Sequence, residues 1–321
     1  MHACRKELSG GRWHFQHGPI DLILQAHGRP CVVAQAHARA WQRFESVLQE
    51  LVGELPVLRM PIQPHDACTL KGVVARRMWA ACAPHSMPFI TPMAAVAGSV
   101  AQEMVECYAL EGIDRAWVNN GGDIALHIAP GFDVSVGLVA DVAALRLDPG
   151  AMGGASDLVL DGRFRIDSTM PVRGVATSGW RGRSQSLGIA DSVTVLARTA
   201  AQADAAATLV ANAVNVDDAR IHRLPACEVR DQSDLGMLAV TVDVPPLPAD
   251  RVRAALRSGL HRAQQLQAAG HLWFALLSCQ GQYLSTTHVQ TLPHRPPLEP
   301  TLSADRAPHF VAEPATGSVF A

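Results

Sequence analysis

Short strand patterns joined by hairpin-type turns alternate irregularly with amphipathic helix patterns along this chain. Residues 12–35 alternate apolar and polar side chains, with turns at 18–19 and 27–30, which predicts a short β-meander. Residues 38–54 carry apolar side chains at helical spacing, which predicts an amphipathic helix. Because strands and helices follow one another without regular βαβ order, the pattern favours an α+β fold over a doubly wound parallel sheet.

The remaining pattern places further elements along one domain. We expect helices at 72–83, 93–111, 199–214 and 249–269, and strands at 115–118, 124–128, 133–140, 164–178, 191–197 and 238–244. Residues 290–321 are rich in proline and lack periodicity, which predicts a disordered tail. The sequence therefore predicts a single domain over residues 1–289.

Charge and cysteine content exclude several classes of protein. The net charge is −2, from 27 basic and 29 acidic residues, so there is no basic surplus for binding nucleic acid or an anionic membrane. The seven cysteines form no CxxC pair, which argues against a disulfide framework and a thiolate zinc site. No signal-peptide core and no apolar run of about 18 residues is visible, so we expect a cytoplasmic protein without a membrane span.

The turn Asn119–Asp123 lies between two predicted strands. Its two glycines allow positive φ, so that successive backbone N–H groups can form a concavity that accepts an anion. An Asn-Gly pair is also the commonest signal of an ordinary hairpin. The turn by itself therefore leaves both interpretations open.

The alanine-rich helix 199–214 carries a row of polar side chains. Asp204, Thr208 and Asn212 are four residues apart and therefore share one face. A carboxylate among apolar neighbours needs a cation, hydrogen-bond donors or water. A carboxylate and a hydroxyl one turn apart suit Mg²⁺, which takes oxygen ligands. A polar row that faces solvent remains the alternative.

The segment Thr177-Ser178-Gly179 ends a predicted strand and enters a glycine-rich loop. It does not fit the Gly-x-Ser-x-Gly pattern of a nucleophilic serine. Its hydroxyls and amides are better suited to hydrogen bonds with a ligand.

Taken in order, these segments resemble the ApbE superfamily, the magnesium-dependent FAD:protein FMN transferases, and most closely its short ApbE-like branch. The similarity covers residues 12–283. The matching motifs are His17–Leu22, Thr91–Gly98, Asn119–Ile124, Thr177–Gly179, Ser186–Asp191, Ala203–Thr208 and Gln232–Gly236. The resemblance implies a T-fold-like arrangement of antiparallel sheets with packed helices.

The resemblance also implies a set of site residues. Mg²⁺ would bind Asp204 and Thr208, with the main-chain carbonyl of Ala94 as a further ligand. FAD or FMN, as substrate or ligand, would contact a second group of residues. These are Asn119, Asn120, Gly121, Gly122, Asp123, Thr177, Ser178, Gly179 and Arg183.

Two departures from the transferases leave the catalytic residues unidentified. Ala97 occupies the place of a transferase lysine, and the stretch 179–191 has neither a histidine nor an Asp-Pro-x-Thr-Gly segment. Three functions stay open. The chain can be a Mg²⁺-dependent flavinyl or nucleotidyl transferase or hydrolase, a non-catalytic flavin- or cofactor-binding accessory of a redox enzyme, or a structural oligomer such as a homodimer.

Overall fold

The computed structural model describes residues 2–138, 162–182 and 184–286. Its strands are β1 (Cys4–Leu8), β2 (Arg12–His17), β3 (Ile20–Gly28), β4 (Ile113–Asn120), β5 (Asp123–Ile128), β6 (Asp133–Leu138), β7 (Gly162–Asp167), β8 (Gly174–Ser178), β9 (Ser192–Ala197), β10 (His222–Pro225), β11 (Ala239–Asp243), β12 (Phe274–Cys279) and β13 (Gln282–Ser285). Nine of them form one sheet in the order β1-β2-β3-β4-β5-β8-β9-β12-β13. All of its neighbouring strands are antiparallel. Strands β6 and β7 form one separate hairpin-like pair, and β10 and β11 form another.

The helices are α1 (Pro30–Leu58), α2 (Val73–Cys82), α3 (Val96–Glu106), α4 (Ala200–Ala213), α5 (Ala226–Val229) and α6 (Ala249–Ala268). A short 3₁₀ turn, Pro92–Ala95, leads into α3. Within the described ranges, no helix combines the length and apolar composition that crossing a bilayer requires.

The two faces of the large sheet are covered by different elements. On one face, Leu22 and Val118 pack with residues of α1 and α3, and Val193 packs with the alanines of α4 and with α6. On the other face, Leu126 and Leu196 pack with residues of β6 and β7. We call these the helix face and the hairpin face.

Helix α4 packs unusually closely against its neighbours on the helix face. Its first turn is capped by Thr199, whose hydroxyl accepts the N–H of Gln202 at 3.3 Å. A Cβ added at Gly98 of α3 would lie 2.3 Å from the Ala200 carbonyl oxygen, and one at Gly174 of β8 would lie 2.3 Å from the Ala200 nitrogen. The crossing therefore requires glycine on both elements, and it brings α3 and β8 against the same end of α4.

The predicted α+β class with antiparallel sheets is confirmed, but the predicted boundary between the meander and the first helix is wrong. We expected strands to residue 35 and a helix over 38–54, whereas α1 begins at Pro30 and ends at Leu58. Proline is well suited to the first turn of a helix, where its missing N–H needs no partner. The β-branched Val32 and Val33, which favour a strand locally, instead pack with the cluster beneath α1.

Other predictions also need correction. The helix expected over 93–111 ends at Glu106, and the strand expected over 164–178 is two strands in different sheets. The bend between them is held by Arg173, whose guanidinium donates to the carbonyls of Ser168 and Met170 at 2.9 and 2.8 Å. Strands β1, β10, β12 and β13 were not predicted. The predicted tail, 290–321, and the end of the strand predicted over 133–140 lie outside the described residues.

Candidate functional site

Asp204 occupies the helix face, on the side of α4 that meets α3. Its Oδ2 accepts the backbone N–H of Gly98 at 2.9 Å. Burial raises the pKa of Asp204 to about 7, and the N–H groups of Gly98 and Ala97 oppose this shift. Among the described residues, no cationic side chain pairs with it. A desolvated carboxylate that has donors but no countercharge is suited to binding a cation.

Thr208 and Asn212 lie on the same face of α4 as Asp204, but their side chains make different contacts. Thr208 is half-buried one turn after Asp204, and its hydroxyl has no hydrogen-bond partner in the described part of the chain. Asn212 is occupied, because its Oδ1 accepts the N–H of Leu187 at 2.9 Å and the hydroxyl of Ser186 at 3.2 Å. Asn212 therefore anchors a loop. Asp204 and Thr208 are left as the polar residues of this helix face that could bind a ligand.

A second carboxylate, Asp234, approaches the same region and was missed by the sequence analysis. Its Oδ2 accepts the hydroxyl of the buried Thr91 at 2.5 Å. The pKa of the buried Cys82 is raised mainly by burial and then by the charges of Asp204 and Asp234, so both carboxylates lie near this thiol. Thr91 and Asp234 lie within matching motifs, but no helical spacing links them to Asp204.

These side chains do not by themselves complete a metal site. In the ranges that the structure describes, no three residues among histidine, cysteine, aspartate and glutamate are grouped to hold a metal ion. Mg²⁺ commonly binds one or two carboxylates and takes its remaining ligands from water and substrate phosphates. The donor set at Asp204 and Thr208 is compatible with that mode of binding.

The double-glycine turn joins β4 to β5. Gly121 and Gly122 have φ of 65° and 111°, in the region that side chains disfavour. The N–H of Gly122 donates to Oδ1 of Asn119 at 2.8 Å, and a Cβ added at Gly122 would meet nothing within 4 Å. The turn is therefore a stabilised hairpin with open space beside it.

One peptide unit connects this turn to Asp204. The Nδ2 of the buried Asn120 donates to the carbonyl of Ala97 at 3.1 Å. The N–H of the same peptide, on Gly98, donates to Asp204. Asn120 and Asp204 thus lie on opposite sides of a single amide of α3.

The other predicted ligand-binding residues divide between the two faces of the sheet. Ala176 packs with the alanines of α4, so Ser178, two residues later on β8, lies on the helix face. The hydroxyl of Thr177 instead lies 3.1 Å from that of Thr194, on the hairpin face. Asp123 is buried and its Oδ1 accepts the N–H of Thr177 at 3.2 Å, which extends the contact between β5 and β8. The side chains of Ser178 and Thr177 therefore cannot both face Asp204.

Three predicted residues remain. Ala94 is partly buried in the 3₁₀ turn before α3 and packs against the cluster that contains α4. Gly179 follows β8, and its carbonyl accepts the N–H of Gly182 at 3.2 Å. Arg183 lies outside the described residues.

Comparison with known proteins gives a consistent family match. A family model described as "AbpE bacteria" matches residues 5–285. A UPF0280 protein of Methanothrix thermoacetophila is 34% identical over 215 residues, which cover 64% of this chain and 82% of the relative. A UPF0280 protein of Methanopyrus kandleri is 32% identical over 231 residues, which cover 69% of this chain and 83% of the relative.

The solved structures are more distant. The flavinyl transferase ApbE of Pseudomonas stutzeri, in its apo form, aligns with a TM-score of 0.39 at 11% identity. The alignment covers 89% of this chain and 94% of that chain.

Proposed function

Since this chain belongs to the family described as AbpE bacteria, we propose that it binds a flavin such as FAD, or another pyrophosphate-containing nucleotide, together with Mg²⁺. The observation that carries this proposal is the environment of Asp204. Its carboxylate has a pKa raised to about 7 by burial, and it accepts backbone N–H groups but has no countercharge among the described residues. A bound divalent cation would supply the missing charge and hold the carboxylate ionised.

The residues around Asp204 are suited to binding Mg²⁺. Thr208 offers a hydroxyl one turn along the helix. Asp234 is a second carboxylate, and both it and Asp204 lie near the thiol of Cys82. Mg²⁺ retains open positions that phosphate oxygens can fill. When bound, the metal would neutralise phosphate charge and orient the diphosphate.

The double-glycine turn supports the ligand side of the proposal. Asn120 reaches the same amide of α3 that contacts Asp204, and the backbone beside Gly122 is open to approach. Because the N–H of Gly122 already donates to Asn119, the turn would meet the ligand through the open space beside Gly122. The turn and the carboxylate would therefore contact neighbouring parts of one ligand.

A protein that binds such a ligand can be an accessory protein or an enzyme, and one observation distinguishes the two. Ala97 stands where the resembling transferases carry a lysine, and its carbonyl and N–H are engaged by Asn120 and Asp204. This favours a flavin- or cofactor-binding accessory protein over a transferase or hydrolase. Mg²⁺-dependent breakdown of FAD to FMN and AMP, followed by chromatography, would instead establish turnover.

Calorimetric titration with FAD, FMN and ADP, with Mg²⁺ or with EDTA, tests the binding proposal. We expect FAD to bind more tightly with Mg²⁺, and Asp204→Asn to weaken that Mg²⁺-dependent binding at least about tenfold. Asparagine keeps an oxygen for the Gly98 N–H, so the fold is preserved. Asp250→Asn, which removes an exposed carboxylate from the start of α6, is the matched control and should leave binding unchanged. Equal affinity in EDTA, or an Asp204→Asn variant that binds like the wild type, would refute the proposal.

A further inference from the structure

Two histidine side chains meet where helices α2 and α6 end. His85 closes the 3₁₀ turn Ala83–His85 that follows α2, and His271 lies just after the last turn of α6. Their ring centroids are 4.5 Å apart, and the ring planes make an angle of 80°. His85 is 6% exposed, whereas His271 is half-buried. The two imidazoles belong to distant parts of the chain, so only folding brings them together.

The backbone holds His271 in this position. Gly270 has a φ of 76°, and its N–H donates to the carbonyl of Gln267 at 3.0 Å. The N–H of His271 donates to the carbonyl of Leu266 at 2.9 Å, which completes a Schellman-type end to the helix. The place of His271 therefore follows from the way α6 ends and requires no hydrogen bond from its ring.

The nitrogens of both rings are unpaired. Neither imidazole forms a hydrogen bond within the part of the chain that the structure describes, although buried polar groups in proteins are nearly always paired. The fully enclosed polar atoms that lack a partner belong to other residues, so the ring nitrogens of His85 retain accessible surface. Each ring therefore has a nitrogen lone pair that is free to bind a ligand.

The surroundings keep His85 neutral at physiological pH. Burial, with smaller contributions from His271 and the guanidinium of Arg262, lowers the pKa of His85 to about 4. A metal ion binds the neutral form of imidazole, so at pH 7 no proton has to be displaced from His85. The charge of Arg262 opposes a bound cation and limits the affinity.

The distance between the rings fits one shared ion. Two imidazoles whose nitrogens each lie about 2.0–2.1 Å from one ion have ring centroids about 4.5–5.2 Å apart, for angles of roughly 90–110° at the ion. We propose that His85 and His271 together bind a divalent transition-metal ion of the kind that imidazole prefers, such as Ni²⁺ or Zn²⁺. The ring of the half-buried His271 turns about its last torsion to direct a nitrogen at the ion.

The proposed pair differs from the site at Asp204 in its chemistry. Mg²⁺ prefers oxygen ligands, whereas two imidazoles favour softer ions. In the described ranges no third histidine, cysteine, aspartate or glutamate joins the pair, so water fills the other positions on the ion. A metal bound here would connect the end of α2 to the end of α6 and stabilise the folded chain.

Calorimetric titration of the untagged full chain with Ni²⁺, in buffer free of imidazole and chelator, tests the proposal. We expect one tight site per chain. His85→Gln and His271→Gln should each weaken it roughly tenfold or more, since even groups outside the coordination shell contribute that much. Ni²⁺ should raise the Tm of the wild type but not that of His271→Gln, because the two ligands lie together only in the folded chain.

His261→Gln is the matched control. His261 is an exposed histidine of α6 whose ring already bonds to Gln265 at 2.9 Å, so its loss should leave Ni²⁺ affinity unchanged. Asp204→Asn should also bind Ni²⁺ like the wild type, which separates this site from the proposed Mg²⁺ site.

The proposal is overturned if the wild type has no tight Ni²⁺ site, or if His271→Gln, the substitution at the less buried ring, binds Ni²⁺ as the wild type does. Equal losses of affinity in Asp204→Asn and His271→Gln would overturn it as well, because the ion would then depend on the carboxylate site.

Discussion

The crossing of α3 and α4 at Gly98 positions Asp204, and Gly98→Ala should disrupt it. The added methyl carbon would lie 2.3 Å from the Ala200 carbonyl oxygen, 2.7 Å from its carbon and 2.9 Å from Cβ of Asp204. Two of these atoms are backbone, so the clash cannot be relieved by rotating a side chain. The helices must move apart, and the bond from the Gly98 N–H to Asp204 must lengthen.

Two opposing contributions set the size of the effect. Replacing glycine with alanine inside a helix stabilises it by about 1 kcal/mol. Overpacking of a tight core costs about 1–3 kcal/mol, and a backbone contact this short belongs at the upper end. We therefore expect a net loss of about 2 kcal/mol in the free energy of unfolding, or a fall in Tm of roughly 4–8 °C.

Urea denaturation of Gly98→Ala and Gly53→Ala measures this effect. Gly53 lies on the exposed side of α1, and a Cβ there meets nothing within 4 Å. Gly53→Ala should therefore gain up to about 1 kcal/mol from helix propensity alone. If both variants are stabilised equally, α3 and α4 do not cross as closely as described and the position of Asp204 is wrong.

Two further predictions concern buried polar groups. Glu103 bonds to Arg43 at 2.6 Å and to Arg77 at 2.7 Å, so Glu103→Gln should cost about 2–3 kcal/mol, less than a fully buried pair because both arginines reach solvent. Urea denaturation showing a loss below about 0.5 kcal/mol would contradict this. Burial lowers the pKa of His37 from 6.5 to about 4, so the unfolded chain binds a proton that the folded chain does not. Stability should fall as pH drops from about 6.5 to 4, and His37→Gln, which can still bond to Tyr108, should flatten this dependence. An equally steep dependence in the variant would show that His37 is not the group responsible.

Elements with strong local signals were predicted well. Helix α4 was expected over 199–214 and spans Ala200–Ala213, because its capping threonine and its run of alanines are readable without tertiary context. Strand β12, Phe274–Cys279, was missed because its first four residues, 274–277, are all apolar, as suits a strand between β9 and β13. Such a run lacks the apolar–polar alternation by which a strand is recognised.

Part of the candidate site could also be predicted from local sequence signals. Asp204 and Thr208 share a helix face by spacing alone, and in the structure both residues are half-buried, with Asp204 bonded to Gly98 of α3. Asp234 could not be placed, since its partner Thr91 is 143 residues away and only folding brings the two together. Asn212 belongs to the row by spacing but is occupied by the loop 186–188, a contact that spacing cannot reveal.

Anomalous diffraction from crystals grown with FAD and Mn²⁺ tests the central claim most directly, since Mn²⁺ binds the same oxygen ligands as Mg²⁺. We predict an anomalous peak about 2.0–2.3 Å from a carboxylate oxygen of Asp204, with the diphosphate on its open side toward Asn120. A peak at another carboxylate cluster, or a bound FAD with no metal at Asp204, would contradict the proposal.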